Sequence, residues 1–321
     1  MPGRQTPACP MEELSANAPQ ISVVLSTRDR GDRILPTVVS LLLNQTPAFE
    51  LIVVDQSVGA ETALALRQFQ GDSRLRLIRS ATRGLSAGRN AGIAAAQAGI
   101  IACTDDDCTV PPNWLQSLRE AFTGHEQAAL VFGNVQAGAH DPAAGFIPAY
   151  VRRDDCLARG IREKHRVEGI GACMGLRRCV WEELHGFDEQ LGAGAKFHAA
   201  EEMDFTIRVL LAGHGVFETP SVAVVHHGFR TWNQGAKLVD GYYFGNGGMF
   251  AKHIKCGNWS VLSYLGDQFG NWVGGQPGVD LGRRPSRGQR LRAFIRGLLA
   301  GFRQPVDRGR CLYKRAPDST E

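Results

Sequence analysis

Ile100–Leu115 reads IIACTDDDCTVPPNWL. Its apolar start, Ile100–Cys103, suits a strand buried on both faces. That strand runs into Asp105-Asp106-Asp107. Three adjacent carboxylates repel one another, and the repulsion is costly near a low-dielectric interior. A hard divalent cation, Mn²⁺ or Mg²⁺, offsets it through oxygen ligands. Such an ion can bridge to a diphosphate and neutralise it as a leaving group. The same residues also suit a solvated acidic turn, or caps for a helix after Pro111-Pro112. On these residues alone the two readings stand level.

Upstream, apolar runs alternate with helical patterns. Strands are expected at Ile21–Ser26 (ISVVLS), Leu51–Val54 (LIVV) and Leu75–Ile78, and helices at Arg33–Leu43, Glu61–Phe69 and Ser86–Ala98. Downstream come a helix near Asn113–Phe122 and a strand near Ala129–Phe132. The alternation predicts an α/β fold with a doubly wound, mostly parallel sheet and right-handed crossovers. Ligands of such sheets bind beyond the C-terminal strand ends. Thr27-Arg28, Asp55 and Asp105–Asp107 each follow a strand, so chain order brings them to one rim. Order and composition agree in pointing to a nucleotide-type site at that rim.

The second half is less regular. An extended connection is expected over Gly138–Glu168, a strand at Ile170–Leu176 and a short helix at Arg178–His185. A glycine-rich loop follows, then a helix at Glu201–Ala212 stopped by Gly213. Val222–Val225 reads as a strand ending in His226-His227. Beyond Gly228 the chain is rich in glycine and aromatics.

Several of these stretches, in order, resemble family 2 glycosyltransferases, whose fold is glycosyltransferase A. The Ile100–Leu115 stretch resembles their aspartate-rich motif, with its prolines and Trp-Leu pair. Val23–Arg28 (VVLSTR) resembles the first strand and nucleotide loop, Ile52–Asp55 (IVVD) the second strand with its nucleotide-binding Asp, and Gly84–Gly92 (GLSAGRNAG) the segment near base and phosphates. The resemblance runs from about Ile21 to His227. It implies an inverting, metal-dependent, hexosyltransferase-like enzyme.

By that resemblance Thr27, Arg28 and Asp55 hold the nucleoside diphosphate, and Arg89 and Asn90 line its pocket. Asp105 and Asp106 also face the donor. Asp105 and Asp107 form the Asp-x-Asp pair, with Asp107 the first choice as direct metal ligand. Read without it, Asp55 is a helix N-cap and Arg89 a helix-surface charge. Ala200–Arg208 (AEEMDFTIR) resembles the family's Glu-Asp-x-Asp motif, which supplies the catalytic base. Glu202 stands where the base Asp is usual, one methylene longer, and Asp204 is the second candidate. The bland reading is a helix start whose acids favour the dipole, with Asp204–Arg208 an (i, i+4) pair. His226 or His227 sits near a family His that touches metal or diphosphate. Imidazole suits that role, and the sequence does not choose between them. Gly192–Lys196 (GAGAK) suits a mobile lid that closes the site against water, or a plain surface loop. Trp181, Trp232, Tyr242 and Tyr243 read as core or rim aromatics before acceptor platforms.

The C-terminal stretch sets arginines Arg283, Arg284, Arg287, Arg290, Arg292, Arg296 and Arg303 among Leu291, Phe294, Ile295, Leu298, Leu299 and Phe302. It suits a basic amphipathic helix on anionic lipid and, equally, a packed helix with a solvated basic face. The first option would suit a lipid-linked acceptor; the acceptor expected is a sugar or a lipid-linked one. No nucleic-acid recognition motif accompanies the charge.

The 321 residues are 43% hydrophobic with a net charge of +4, which bounds a globular chain with a sizeable core. The eight cysteines include no CxxC pair, so structural zinc is not indicated and a reduced compartment is the simplest reading. No apolar run approaches the ~20 residues of a spanning helix, and Met1–Gln20 reads as a loose arm. The expected organisation is an arm over 1–20, a nucleotide-sugar subdomain over 21–135, an acceptor and catalytic subdomain over 136–232 and an irregular or helical extension over 233–321. The expected location is cytoplasmic, peripheral on the inner membrane face if the extension binds lipid. The expected pathway is cell-surface polysaccharide or glycolipid assembly. Two alternatives are a non-catalytic sugar-nucleotide binder and a sugar-phosphate nucleotidyltransferase. The second lacks its glycine-rich loop here, and a dinucleotide oxidoreductase lacks its G-x-G-x-x-G.

Overall fold

The computed structural model describes residues 18–274 and 286–315. Most of the expected N-terminal arm, and Arg283 and Arg284, lie outside these residues. The first half alternates as expected: β1 Ile21–Thr27, α1 Leu35–Leu42, β2 Phe49–Asp55, α2 Glu61–Leu66, β3 Leu75–Arg79, α3 Leu85–Ala95 and β4 Ile100–Asp105. Then come β5 Cys108–Thr109, α4 Trp114–Gly124, β6 Ala128–Ala137, β7 Gly145–Phe146, β8 Cys156–Ala158, β9 Cys173–Arg177, α5 Arg178–Glu183, α6 Glu201–Leu211 and β10 Gly215–His226. The last part is β11 Arg230–Thr231, α7 Trp232–Lys255, α8 Val261–Gly274, α9 Arg287–Arg303, β12 Val306–Asp307 and β13 Leu312–Tyr313.

One nine-stranded sheet runs in the order β3-β2-β1-β4-β9-β6-β10-β5, with β8 also paired to β10. β1, β2, β3 and β4 are parallel neighbours, as are β6 and β10. β9 enters antiparallel between β4 and β6, a direction that an apolar run does not encode. β1 and β2 are almost wholly buried, so their unbroken β-branched runs follow from cover on both faces. One apolar cluster on the sheet includes Leu25, Val38, Trp114 and Phe122. A second includes Val24, Ile93, Phe187 and Phe205. A third lies beneath α7, α8 and α9, with Phe197, Phe250, Tyr264 and Phe294.

The helical character of the C-terminal extension is as expected, and three other elements depart from expectation for local reasons. The helix expected from Arg33 begins as a 3-10 turn, Gly31–Ile34, and becomes α-helical at Leu35, with Pro36 in the first positions. α3 ends at Ala95 rather than Ala98, because the Gln97 and Ala98 N–H groups donate to Glu50 and Ser22. β10 is far longer than Val222–Val225, and a register irregularity between Glu218 and Ala223 accommodates Pro220. α7 is a 24-residue helix despite its glycines, which disfavour helix on their own. Here they let helices meet closely: a Cβ on Gly247 would collide with the Phe294 carbonyl, and one on Gly297 with that of Phe244.

Candidate active site

The C-terminal ends of β1 and β4 are register neighbours, Ser26 beside Asp105. A cleft of about 970 Å³ opens there, faced on its other side by the first turn of α6 and by Tyr242 and Tyr243 of α7. Each aspartate of the triplet has a partner within the protein. Asp105 accepts from Arg89 at 3.0 Å. Asp106 accepts from Thr27 Oγ1 at 2.7 Å and from the Arg30 guanidinium at 2.6 Å. Asp107 accepts from Arg30 at 2.8 Å and lies 3.2 Å from His226 Nε2. Burial would lower the Arg30 pKa, but Asp106 and Asp107 outweigh it and raise it. Burial likewise opposes ionised Asp107, and His226 and Arg30 outweigh it, so Asp107 is held below its ordinary value.

The two histidines separate, because successive side chains on a strand face opposite ways. His226 lines the cleft. Its Nδ1 lies 2.9 Å from the Pro148 carbonyl, which can only accept, so Nδ1 carries the proton and Nε2 is turned to Asp107. His227 is exposed and bonds Thr109 Oγ1 at 2.8 Å, outside the cleft. Asp107, Cys108 and His226 each offer a donor atom within 4.8 Å of the others. Burial pushes the Cys108 thiol far above its ordinary range, so it stays protonated and is no ligand for a hard ion. An oxygen from Asp107 and a nitrogen from His226 converge, with the ring oriented by a backbone carbonyl. That donor pair fits Mn²⁺ or Mg²⁺ with the remaining positions left for water and phosphate oxygens.

Two neighbours in the Gly84–Gly92 motif part company, since adjacent helical residues point about 100° apart. Arg89 is only 1% exposed and is no surface charge. It bonds Asp105, Glu201 at 3.3 Å and the Gly171 carbonyl at 3.1 Å. Asn90 turns away from the cleft. Its amide donates to the Phe187 carbonyl at 2.9 Å and accepts from Phe187 N–H and Trp181 Nε1, so it ties α3 to the loop after α5 rather than lining a nucleotide pocket. Asp55 is fully buried and accepts from Ser57 N–H at 2.9 Å and Arg79 at 3.0 Å. It is not the N-cap of α2, which begins at Glu61. Arg28 lines the cleft and also a recess of about 540 Å³ with Gln56, Ser57 and Arg79.

Ala200 takes a left-handed φ of 73° just before α6, and Glu201 and Glu202 both reach the cleft. Glu201 is buried, and burial first, then the charge of Glu202, push its carboxyl up to about 8 against the pull of Arg89. Glu202 is half-buried. Asp204, the second candidate for the base, does not reach the cleft. It is buried among Lys252 at 2.7 Å, Arg208 at 3.0 Å and His253 at 3.0 Å. Two residues on from Glu202, it faces the opposite side of the helix. The Gly192–Lys196 loop touches the cleft through Ala193 and Gly194, and Leu85 N–H and Ser86 Oγ donate to the Ala193 and Leu191 carbonyls at its start. Sequence reasoning missed Arg30, though a basic residue so soon after a strand end was a usable signal.

Residues 22–180 match the family model described as glycosyl transferase family 2. The chain is 27% identical over 198 residues to the glucosyl-dolichyl phosphate glucuronosyltransferase of Haloferax volcanii, 59% of this chain and 63% of the relative. It is 35% identical over 103 residues to the succinoglycan biosynthesis protein ExoO of Rhizobium meliloti, 32% of this chain and 29% of the relative. The match thus spans less than two thirds of either relative. Among solved structures it resembles S. aureus TarS 1-349 in complex with UDP-GlcNAc, with a TM-score of 0.51 and 15% identity over 69% of this chain and 64% of that one. At that identity the likeness speaks for the fold. Residues 22–180 thus match a family 2 glycosyl transferase domain, and the chain has the glycosyltransferase A fold.

Proposed function

We propose that the protein transfers a sugar from a nucleoside-diphosphate sugar to an acceptor hydroxyl, with inversion at the anomeric carbon. The observation that carries this reading is a single cleft with Asp107 and His226 on one wall and Glu202 on another. Thr27, Arg28, Arg30 and the aspartates form the donor side, within residues 21–135. Glu202 and the acceptor side belong to residues 136–232. Asp107 and His226 would hold a divalent cation, which when bound would supply charge neutralisation for the leaving diphosphate. Glu202 takes the proton of the acceptor hydroxyl as its oxygen bonds the anomeric carbon and the bond to the diphosphate oxygen breaks. A base facing the leaving group across the sugar gives inversion. Arg89 offsets Asp105 and Glu201, leaving Glu202 as the carboxylate that meets the acceptor. The UDP-GlcNAc seen in TarS supports a nucleotide-sugar donor, and the H. volcanii relative's name supports a lipid-linked acceptor.

The test is release of nucleoside diphosphate from a panel of nucleotide sugars with Mn²⁺, run with wild type and Glu202→Gln. Release by wild type, with donor binding kept and turnover lost in the variant, supports the reading. Binding without turnover in both would make the chain a sugar-nucleotide binder.

A further inference from the structure

α9 has two apolar faces, and α7 covers one. Ala293, Phe294, Gly297 and Gly301 are buried against it, with Ala293 1% and Phe294 3% exposed. Because a Cβ on Gly297 or Gly247 would strike backbone across the contact, the helix cannot roll about its axis to bury more. Leu291, Ile295, Leu299 and Phe302 are left 43%, 43%, 50% and 43% exposed. Their spacing of four, four and three residues puts them in one stripe. A single exposed leucine is ordinary, but four large apolar side chains in a row are not.

Charge decides the occupant. α9 contains no acidic residue. Arg292, Arg296 and Arg303 run along one margin of the stripe. Arg296 reaches Asp240 at 3.4 Å with both side chains half exposed, and Arg292 and Arg303 have no carboxylate partner among the described residues. A second copy docked by the same stripe would bring like charges together. A nucleic acid would use the arginines and leave the apolar stripe in water. A bilayer with anionic headgroups takes both, side chains into the acyl boundary and guanidinia among the phosphates.

We propose that this stripe of α9 docks the protein on an anionic lipid surface. No helix among the described residues is long and apolar enough to cross a membrane, so the contact is in the plane of the interface. Arg290, next to Leu291 at the start of the stripe, lines the catalytic cleft. The helix that docks thus also borders the cleft, and docking holds the cleft close to the lipid surface, where a lipid-linked acceptor presents its hydroxyl. The docking rests on α9 alone, and the link to the acceptor rests on the transferase reading above.

The experiment is co-sedimentation of the full chain with phosphatidylcholine vesicles and with vesicles containing phosphatidylglycerol, at two salt concentrations. The variants are Leu291→Ser/Ile295→Ser/Leu299→Ser and Arg292→Glu/Arg303→Glu. All five positions are exposed, so thermal melting should match wild type. Wild type should favour the anionic vesicles, less so in high salt. The serine variant should lose on the order of tenfold or more in partition, and the glutamate variant roughly fivefold per arginine. Wild type that ignores anionic vesicles, or variants that partition as wild type does, would overturn the proposal. So would a concentration-dependent dimer that the serine variant abolishes. Donor binding, measured on the same samples, tests the transferase reading separately and should be unaffected.

Discussion

His226 pairs with Cys108 across the antiparallel β10–β5 ladder, and this register holds its Nε2 3.2 Å from Asp107 Oδ1. The ring is buried, which lowers its pKa, yet the Asp107 carboxylate outweighs burial and holds it above 6.5. A metal needs the neutral ring, so proton and cation compete. Cation affinity should therefore rise with pH through and beyond 6.5. In His226→Ala that part of the pH dependence should vanish and affinity fall by at least about tenfold. Mn²⁺ titrations at several pH values check this.

Glu201 titrates near 8, far above its ordinary 4.5, because it is buried beside Glu202. A carboxyl raised on folding contributes stability that is full below about 4.5 and is lost as pH rises through about 8. Wild type should lose stability across that window more steeply than Glu201→Gln. Parallel slopes in urea unfolding at stepped pH would contradict the burial argument.

Asp204 shows the opposite sign. Burial disfavours its charge, but Lys252, Arg208 and His253 outweigh it and hold the carboxyl below its ordinary 3.8. Its contribution is present above that value and is lost as pH falls. Asp204→Asn should cost about 3–5 kcal/mol at neutral pH, since it leaves buried cations under-compensated, and should soften the acid loss. Donor binding should survive. A stable but inactive Asn variant would instead make Asp204 the base.

The α7–α9 contact tolerates no side chain at Gly297. Gly297→Ala should destabilise by about 1–3 kcal/mol although alanine is the better helix former. A gain in thermal stability would contradict the close approach.

Much of this was legible in the sequence where local pattern suffices. The β1, β2 and β4 runs are covered on both faces, so their composition announces them and their ends place Thr27 and Asp105 on one rim. Proline and glycine hid the rest: Pro220 split β10, and the glycines of α7 disfavour helix until α9 packs on them. A motif also names neighbours without saying which face they take. Arg89 reaches the cleft and Asn90 does not, Glu202 reaches it and Asp204 does not, and His226 reaches it and His227 does not. Arg30 acquires its character from Asp106 and Asp107, remote in sequence, and Glu201 from burial that the motif does not announce.

The most direct measurement is calorimetric titration of UDP, GDP and dTDP into wild type and Asp107→Ala, with and without Mn²⁺. One diphosphate should bind wild type at least about tenfold more tightly with the metal, ~1.4 kcal/mol, and Asp107→Ala should lose that increment. Equal affinity with and without Mn²⁺ for all three, or an increment kept in Asp107→Ala, would contradict the metal-dependent donor site.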